Sequence, residues 1–343
     1  MKICLVGDFN EPRDMGERNL AYNLAKALGQ HHEVMTIKPR DITSQKVMKR
    51  LCEWKPDIIH YLTGPQSRSF VILELMKWIG RSKISVMSAP RPVIPVSHFK
   101  WLQLIQPDIM LSQSHLHTQT FRGYGFKAQF FPNGVDTRRF QALDWEYKKT
   151  FRKKYEVPLD KYVVLHTGYI AKRRGVKLMA KLAREPGVFV ILVAATSWIA
   201  PDPALLAELE TAGCRLFLEF LPNVEEIYQL SDCFVFPGAE LEKETSQFEK
   251  LNQSPSIEIP LSVLEALSCG LPVVSKKFGG LEDMFGKKGI YFADSEQEII
   301  DQVNYMKENM DIAPALPDMT PYTWERIVMK LEKIYSDLLG ENE

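Results

Sequence analysis

The sequence lacks a long apolar run, an excess of either charge and any close pair of cysteines. Its longest apolar run, residues 188–195, falls far short of the roughly 20 residues that cross a bilayer, which excludes a spanning helix. Lysine and arginine total 43 and aspartate and glutamate total 43, so no nucleic-acid partner is expected. The five cysteines are scattered with no CxxC motif, which argues against a disulfide framework or a zinc site. We expect them to be buried small apolar side chains.

The start of the chain and its length indicate a cytoplasmic protein of about two domains. Residues 1–8 are typical of a first β-strand and lack the long apolar stretch and cleavage site of a signal peptide. At roughly 150 residues per domain, 343 residues make about two domains. Hydrophobic residues make up 45% and charged residues 25%, which is typical of a globular fold and not of a disordered chain.

Short apolar runs alternate with helical patterns, and the alternation starts again after the middle of the chain. The predicted strands cover residues 3–6, 34–37, 58–61, 84–87, 109–111, 163–166, 188–193, 216–218, 233–236, 272–275 and 290–292. The predicted helices cover residues 19–28, 147–155, 177–183, 204–212, 224–230, 263–267 and 322–339. Strands that alternate with helices pair in parallel, so the predicted class is α/β, with a doubly wound parallel sheet in each of two similar domains.

The two domains are expected to join between residues 140 and 160. We assign residues 1–140 to an N-terminal domain, residues 141–320 to a C-terminal domain and residues 321–343 to a terminal helix that packs back on the N-terminal domain. This helix carries apolar residues along one side, at positions 324, 327, 331, 334 and 338. Residues 238–256 are polar and acidic without a clean period, which predicts an exposed insertion or mobile loop.

Three loops fit the place where open α/β sheets bind ligands, beyond the carboxyl ends of the strands. The first, residues 8–18, contains Gly16, which either lines a ligand or merely opens the turn. The second, residues 166–175, carries three basic residues and suits a diphosphate, although a solvated basic turn would have the same pattern. The sequence contains no G-x-G-x-x-G, which argues against a nicotinamide-dependent oxidoreductase.

The third loop, residues 256–274, contains two glutamates seven residues apart. Pro260 favours a helix start, so Glu258 is expected in the loop and Glu265 inside the helix. A carboxylate among the apolar residues of that helix needs a partner, because burying an unpaired charge is costly. The paired hydroxyls of a ribose would be one such partner, and a lysine or a backbone group would be another.

Several longer motifs carry a family resemblance over nearly the whole chain. The most specific are PNGVDT at 132–137, with Phe140, and LEALSCGLPVV at 264–274. Supporting motifs are PDIIH at 56–60, the glycine pair at 279–280 and YTWE at 322–325. In this order the motifs resemble the retaining GT-B glycosyltransferases of the large family that includes sucrose synthase and bacterial and archaeal mannosyltransferases (glycosyltransferase family 4-like). The resemblance implies two Rossmann-like domains facing a cleft, with a nucleotide sugar held mainly by the second and an acceptor mainly by the first.

The resemblance also implies roles for matching residues: Glu265 would bind the ribose hydroxyls, Gly168 would line the diphosphate pocket, and Leu221 would lie near the base. The expected donor-binding set is Gly16, Gly168, Arg173, Leu221, Leu261, Ser262, Val263 and Glu265. The expected catalytic set is Arg174, Lys172 and Glu258. The expected acceptor-side set is Arg18, His60, Arg91 and His98. For His60, which lies near the end of a predicted strand, a structural hydrogen bond fits the sequence equally well. Transfer in this family keeps the anomeric configuration and needs no metal or other cofactor.

Three positions depart from the family pattern. The first glutamate of the family's two-glutamate motif aligns with Ile257, so Glu258 is displaced by one residue. Tyr169 stands where an arginine usually follows the diphosphate-loop glycine, and Pro90 stands near the place of a family histidine. These departures keep open a second hypothesis, a non-catalytic nucleotide-sugar-binding or partner subunit on the same fold.

The leading prediction is a retaining, metal-independent glycosyltransferase with a UDP-, GDP- or ADP-linked donor and a glycan or lipid-linked acceptor. Lysine–tryptophan neighbours at 54–55, 77–78 and 100–101 suit helices that rest on a membrane surface, so peripheral contact with the inner face of the membrane stays open. Buried tryptophans with snorkelling lysines explain the same pairs. Turnover of a nucleotide sugar separates the enzyme from a subunit that only binds it.

Overall fold

The computed structural model describes residues 1–13, 15–91, 99–194, 200–238, 258–312 and 314–340, which form two compact units. Unit 1 comprises the described residues of 1–134, 258–259 and 321–340, and unit 2 those of 135–238 and 260–320. The change of unit falls a few residues before the expected join, and residues 258–259 belong to unit 1 instead of the expected C-terminal domain. From residue 239 on, the predicted insertion lies outside the described residues.

Unit 1 is built on a six-stranded parallel sheet with helices between the strands. Its strands are β1 (Lys2–Val6), β2 (Glu33–Ile37), β3 (Ile58–Tyr61), β4 (Ile84–Ala89), β5 (Ile109–Ser112) and β6 (Ala128–Phe130). Its helices are α1 (Gly16–Leu28), α2 (Gln45–Trp54), α3 (Ser67–Gly80), α4 (Phe99–Leu102), α5 (His115–Gly123) and, at the end of the chain, α13 (Trp324–Leu339). The strand order β2-β1-β3-β4-β5-β6 reverses its direction at β1, as in doubly wound folds.

Unit 2 repeats this plan. Its strands are β7 (Tyr162–Gly168), β8 (Val188–Ala194), β9 (Arg215–Phe217), β10 (Cys233–Phe236), β11 (Val273–Ser275) and β12 (Ile290–Phe292), in the order β12-β11-β10-β7-β8-β9. Its helices are α6 (Trp145–Lys154), α7 (Lys177–Leu182), α8 (Pro203–Thr211), α9 (Val224–Leu230), α10 (Leu261–Ser268), α11 (Leu281–Phe285) and α12 (Glu296–Glu308). Neighbouring strands of both sheets run parallel, which confirms the predicted α/β class.

The apolar runs located the strands well, with one omission. Each run predicted as a strand is one in the structure, with ends that differ by two residues or fewer. The missed strand, β6, has only three residues, carries the polar and exposed Gln129 at its centre and lies at the edge of the sheet. A strand this short has no alternating pattern to detect, and only its pairing with β5 defines it.

β1 shows how unit 1 buries both faces of its sheet. Ile3 and Leu5 lie in one apolar cluster and Cys4 and Val6 in another, because successive side chains of a strand point to opposite faces. The cluster around Ile3 is completed by α1 and by the buried side of the terminal helix α13, formed by Trp324, Ile327, Val328, Leu331, Ile334 and Tyr335. Full burial of one such side chain contributes about 1.5–3 kcal/mol, so this face holds α13 on unit 1.

Arg152 on α6 is a charged side chain inside unit 2, with only 2% of its surface exposed. Its guanidinium donates to the carbonyl oxygens of Leu230 (3.0 Å) and Lys161 (3.1 Å). It also donates to the Asp232 carboxylate at 2.6 Å, which accepts a second bond from Lys148 at 2.6 Å. Because its charge and its donors are satisfied, Arg152 joins the charge-rich helix α6 to the end of α9 and the start of β10.

The cysteines follow the prediction with one exception. Cys4, Cys214, Cys233 and Cys269 are buried, and burial raises the pKa of the Cys4 thiol to about 12, which keeps it protonated. Cys52 on α2 is exposed instead, because it lies on the solvent side of that helix. Within the described ranges, none of the helices is both long and apolar enough to cross a membrane.

Candidate functional site

The loop predicted to bind a diphosphate lies beyond the carboxyl ends of β7 and β10, which are neighbours in the sheet of unit 2. Gly168 ends β7 with a φ of 147°, and Gly175 follows the 3-10 turn Lys172–Arg174 with a φ of 65°. A Cβ atom at Gly175 would lie 3.1 Å from that of Pro237, just beyond β10. Glycine is therefore favoured at both positions, by backbone conformation and, at the second, by the close approach of the next loop.

The basic side chains of this loop have different surroundings. Lys172 pairs with the Asp202 carboxylate at 2.7 Å, and 61% of its side chain is exposed. Asp202 also caps α8, which turns the lysine ammonium toward that helix. Arg174 is partly exposed, and its charge acts on the buried imidazole of His166 in β7. The side chain of Arg173 lies outside the described part of the chain. Arg174 is thus in electrostatic reach of the end of β7, whereas Lys172 is engaged at α8.

His166 is buried directly behind this loop. Its Nδ1 donates to the Val235 carbonyl at 3.0 Å, which leaves Nε2 as an acceptor. Burial lowers the pKa of the imidazole to about 4, and the Arg174 charge acts in the same direction, so the ring is neutral at pH 7. In the described part of the structure, Nε2 has no hydrogen-bond partner, and a Cβ atom at Gly168 would lie 3.6 Å from it.

α10 places three of the predicted donor-binding residues in its first turn. The helix begins at Leu261, directly after Pro260, and has no side-chain cap. The positive end of its dipole is therefore available to an anion at the helix N-terminus. The side chains of Leu261 and Val263 are buried, and the side chain of Ser262 is partly exposed. The N–H of Val263 donates to the Pro260 carbonyl at 3.1 Å. Ser262 is therefore the residue of this turn with an accessible polar side chain.

Glu265 lies inside α10 as predicted, partly exposed among buried apolar neighbours. Its Oε2 accepts a hydrogen bond of 2.8 Å from the hydroxyl of Tyr228 on α9, which in turn lies 2.6 Å from the hydroxyl of Thr167 in β7. Burial raises the pKa of the Glu265 carboxyl, whereas the Tyr228 hydrogen bond and the charge of Arg139 lower it. Among the described residues, the hydrogen-bond partner of Glu265 is thus a tyrosine hydroxyl, and the ribose role stays a prediction.

The segment before α9 holds Leu221, the residue predicted to lie near the base. Leu221 is partly exposed. The carbonyl of the next residue, Pro222, accepts from the Arg139 guanidinium at 2.5 Å, and Arg139 also pairs with Glu225 at 2.6 Å. These bonds hold the loop between β9 and α9, in the same unit as Glu265.

Three of the predicted acceptor-side and donor-side residues come together in unit 1 around the first turn of α1. Gly16 is the first residue of that helix. Arg18 donates to the Asp8 carboxylate at 3.0 Å, which anchors the loop after β1 to the helix. Arg91, which follows β4, pairs with Glu17 at 2.5 Å. The structure thus groups Gly16, Arg18 and Arg91 at the carboxyl ends of β1 and β4, where open sheets bind ligands.

His60 lies in β3, inside unit 1, with none of its surface exposed. Its Nδ1 lies 2.7 Å from the hydroxyl of Tyr335 on α13, and its Nε2 lies 2.8 Å from the hydroxyl of Ser88 on β4. Burial lowers the pKa of the imidazole to about 3. Both ring nitrogens contact protein groups, which is the structural hydrogen bonding that the sequence left open beside an acceptor contact, and the two bonds join β3, β4 and α13.

Glu258 lies in the loop before α10, as the sequence predicts, and its role beside the donor stays a prediction. It is 1% exposed and belongs to unit 1, where its N–H donates to the Pro90 carbonyl at 2.9 Å. Its Oε1 accepts from the hydroxyl of Ser114 and lies against Nδ1 of His117, in the first turn of α5. Glu258 is therefore held by the carboxyl ends of β4 and β5. His98, the remaining predicted acceptor residue, lies outside the described residues.

The side chains that contact the carboxylates of the two glutamates were not predicted from the sequence. Tyr228 and Thr167 support Glu265, and Ser114 and His117 support Glu258. A tyrosine near the end of a predicted helix was the one visible signal for Tyr228. The others are 61 to 144 residues from the groups they contact, so only the folded chain shows the pairing.

Comparison with a family model assigns part of unit 2 to a known domain. Residues 162–309 match the model described as "Glycosyl transferases group 1". This stretch includes the diphosphate loop, α9 and α10, and hence Gly168, Arg174, Tyr228 and Glu265. The match covers less than half of the chain and shows that this stretch of unit 2 is similar to group 1 glycosyl transferases.

Two curated relatives that match part of the chain are named as glycosyltransferases as well. The chain is 27% identical over 190 residues to TuaC of Bacillus subtilis (strain 168), named for a glycosyltransferase of teichuronic acid biosynthesis, covering 52% of this chain and 41% of TuaC. It is 26% identical over 281 residues to sulfoquinovosyl transferase SQD2 of Arabidopsis thaliana, covering 74% of this chain and 50% of SQD2. The chain thus spans about half the length of these curated relatives or less.

A solved structure resembles the chain over its whole length. HepE from Anabaena, in complex with UDP and glucose, has 16% sequence identity and a TM-score of 0.72, covering 98% of this chain and 100% of HepE. At this identity the likeness concerns the fold, which is the GT-B fold of glycosyltransferases.

Proposed function

We propose that the protein is a retaining, metal-independent glycosyltransferase that moves a sugar from a UDP-, GDP- or ADP-linked donor to a glycan or lipid-linked acceptor. The observation that carries the proposal is the hydrogen-bonded Glu265 carboxylate inside the stretch that matches the group 1 glycosyl transferase model. Tyr228 joins this carboxylate to Thr167, next to the glycine-bounded loop that contains Arg174. The complex of HepE with UDP and glucose favours UDP among the three nucleotides.

The diphosphate would bind beyond the carboxyl ends of β7 and β10. Gly168 and Gly175 keep side chains away from the loop, so that backbone N–H groups can approach an anion closely. Arg174 supplies a planar, permanently charged donor fork, which suits phosphate oxygens. The uncapped start of α10 adds the positive end of a helix dipole. Together these groups offer a diphosphate more positive potential than a solvated turn would.

The same groups would carry the chemistry. When the bond from the anomeric carbon to the donor phosphate breaks, negative charge accumulates on the leaving diphosphate. Arginine and helix N–H groups stabilise that charge without a metal ion, and Arg174 is our candidate for the largest contribution. Lys172 is a weaker candidate because its ammonium is paired with Asp202 at 2.7 Å. The acceptor would bind unit 1 near Gly16, Arg18 and Arg91.

An apolar surface of unit 1 favours a lipid-linked acceptor. Val71, Leu75 and Trp78 occupy one side of α3, and each has at least 45% of its surface exposed. Leu104, in the turn that contacts α3, is 81% exposed. Exposed apolar side chains on one side of a helix, together with exposed basic residues such as Arg81, suit the boundary of an anionic bilayer.

Vesicle binding tests this part of the proposal. Trp78→Asp should lower the fraction of protein that sediments with anionic phospholipid vesicles, whereas Tyr147→Asp, at a tyrosine of unit 2 that is 60% exposed, should not. If both variants sediment with the vesicles to the same extent as wild type, the proposed contact with a membrane is wrong.

Nucleotide binding tests the donor assignment. We expect one of UDP, GDP and ADP to raise the unfolding temperature equally in magnesium and in EDTA. Ligand at about 100 times Kd should add roughly 2.7 kcal/mol of stability. Glu265→Ala should weaken this binding, because the ribose loses a charged acceptor. Binding that needs magnesium would contradict metal independence, and equal affinity of Glu265→Ala and wild type would contradict the ribose role.

Turnover tests the reaction. Arg174→Met should lower kcat by about a hundredfold with the nucleotide sugar, because one stabilising charge on the leaving group is lost. Arg184→Met makes the same change at an exposed arginine of unit 2 and should leave kcat unaltered. The product should keep the anomeric configuration of the donor by NMR. A product with inverted anomeric configuration would refute the retaining mechanism. Binding of the nucleotide sugar without turnover with any acceptor would favour the non-catalytic subunit.

A further inference from the structure

A chain of three hydroxyl and carboxyl groups crosses unit 2 from β7 to α10. The Tyr228 hydroxyl has a single proton and lies 2.8 Å from Oε2 of Glu265. An ionised carboxylate only accepts hydrogen bonds, so Tyr228 donates to it. The Thr167 hydroxyl, 2.6 Å from the tyrosine oxygen, must then donate to Tyr228. The chain therefore has one direction, from Thr167 through Tyr228 to Glu265, and each bond polarises the next.

Packing fixes the tyrosine in the middle of this chain. Tyr228 is 1% exposed. Its ring stacks on Phe234 with a centroid distance of 5.9 Å and meets the edge of Phe140 at 5.4 Å. Both contacts have the usual aromatic geometry, so the ring is held on two sides. Its hydroxyl is consequently a fixed point inside the unit and lies out of reach of a ligand at the surface.

Glu265, in contrast, needs an external constraint. It lies on the partly exposed side of α10, and its side chain has three rotatable bonds. The hydrogen bond from Tyr228 to Oε2 selects one orientation of the carboxylate. The other carboxylate oxygen can then accept hydrogen bonds from the hydroxyl groups of a ligand. Thr167 directly precedes Gly168, which ends β7 within the predicted diphosphate loop, so the same chain reaches both parts of the candidate nucleotide site.

We propose that Tyr228 is a positioning residue for nucleotide binding, which holds the Glu265 carboxylate in the orientation that binds the ribose hydroxyls and, through Thr167, ties that orientation to the diphosphate loop. This assignment rests on the proposed function, since it takes Glu265 as the ribose-binding residue. Tyr228 itself does not touch the nucleotide. Its contribution should therefore depend on whether the ligand carries ribose hydroxyls, which a general loosening of the unit would not.

The experiment compares two ligand sets by calorimetric titration. UDP, GDP and ADP are titrated alongside their 2′,3′-dideoxy counterparts into wild type and Tyr228→Phe. The variant keeps the ring and removes only the hydroxyl. We expect this variant to bind the ribonucleotide about tenfold more weakly, because the ribose hydroxyls then form their charge-assisted hydrogen bond with a poorly oriented Glu265 carboxylate. Its affinity for the dideoxynucleotide should change by less than about twofold. The preference for ribose falls accordingly.

Two further variants keep the result interpretable. Thr167→Val should lower the ribose preference in the same direction and by less, because it acts one bond further away. Tyr162→Phe removes a hydroxyl from another buried tyrosine of unit 2, on β7, and should leave the ribose preference as in wild type. This control measures the effect of losing a buried hydroxyl that does not contact Glu265.

The outcomes distinguish a failure of the proposed function from a failure of the role of Tyr228. Wild type that binds none of the three nucleotides overturns the proposed function and this assignment with it. Wild type that binds a nucleotide, together with a Tyr228→Phe variant that keeps the full ribose preference, overturns the positioning role alone. Equal losses for the ribose and dideoxy ligands would show that Tyr228 supports the unit in general and would also overturn the role.

Discussion

The buried imidazole of His60 should make unit 1 less stable as the pH falls below neutrality. Burial lowers the pKa of His60 to about 3, whereas a histidine in the unfolded chain titrates near 6.5. Below pH 6.5 the unfolded state therefore binds a proton that the folded state does not, and stability is lost as the pH falls toward 3. Between pH 7 and pH 5 this single residue should cost about 2 kcal/mol of the free energy of unfolding.

The assay isolates this effect from the other titrating groups. Urea unfolding of wild type and of His60→Asn is measured at pH 7 and at pH 5, with hydrogen exchange of peptides from β1 and β3 reporting on unit 1 separately. The variant loses part of its stability at both pH values, because Tyr335 and Ser88 lose a partner. What matters is the change between the two pH values, which should be about 2 kcal/mol smaller in the variant.

Two results would refute this reasoning. If the free energy of unfolding of wild type and His60→Asn falls by the same amount between pH 7 and pH 5, His60 binds its proton equally in both states, which its burial forbids. If the free energy of unfolding falls less in wild type than in His60→Asn between pH 7 and pH 5, the folded state binds a proton at the imidazole. His166→Asn provides the matched comparison in unit 2, where burial lowers the pKa of that histidine to about 4.

Three other predictions concern stability and reactivity. Arg152→Met should lower the free energy of unfolding of unit 2 by about 3 kcal/mol in urea titrations, because it leaves the partly buried Asp232 carboxylate with one partner fewer, whereas Lys153→Met on the solvent side should have little effect. Gly134→Ala should destabilise unit 1 by about 1–3 kcal/mol, because the new Cβ lies 2.7 Å from the tryptophan ring of α13; Gly123→Ala, which has open space, is the control. Ellman's reagent should modify one thiol in the folded protein, and Cys52→Ser should abolish this reaction; labelling of two thiols would contradict the burial of the other cysteines.

Much of the fold was predictable because parallel sheets buried on both faces leave a strong local signal. β3, β10 and β12 coincide with apolar runs in the sequence, and α9 coincides with its predicted span. β6 and the exact ends of the helices were not predictable, because edge pairing and capping depend on residues distant in the chain.

The two glutamates show the same division within the candidate site. Proline followed by an apolar run predicted the start of α10 and placed Glu265 inside it, and the structure agrees. The same local reasoning placed Glu258 in the loop before that helix, which the structure also shows, but it could not predict that Glu258 is buried against Ser114 and His117 of unit 1. Seven residues separate the two glutamates in sequence, yet each takes its partners from a different unit.

By itself, the sequence determined the α/β class, the repetition of the plan in two halves and the loops that follow the strands, because all three depend on the periodicity and order of nearby residues. Tertiary structure alone decided which side chains serve as partners. His60 was placed between β4 and α13, and Tyr228 was placed against Glu265, by contacts between residues 28 to 275 positions apart. Hydrogen bonds reach about 3 Å, so such partners exist only after the core has brought distant segments together.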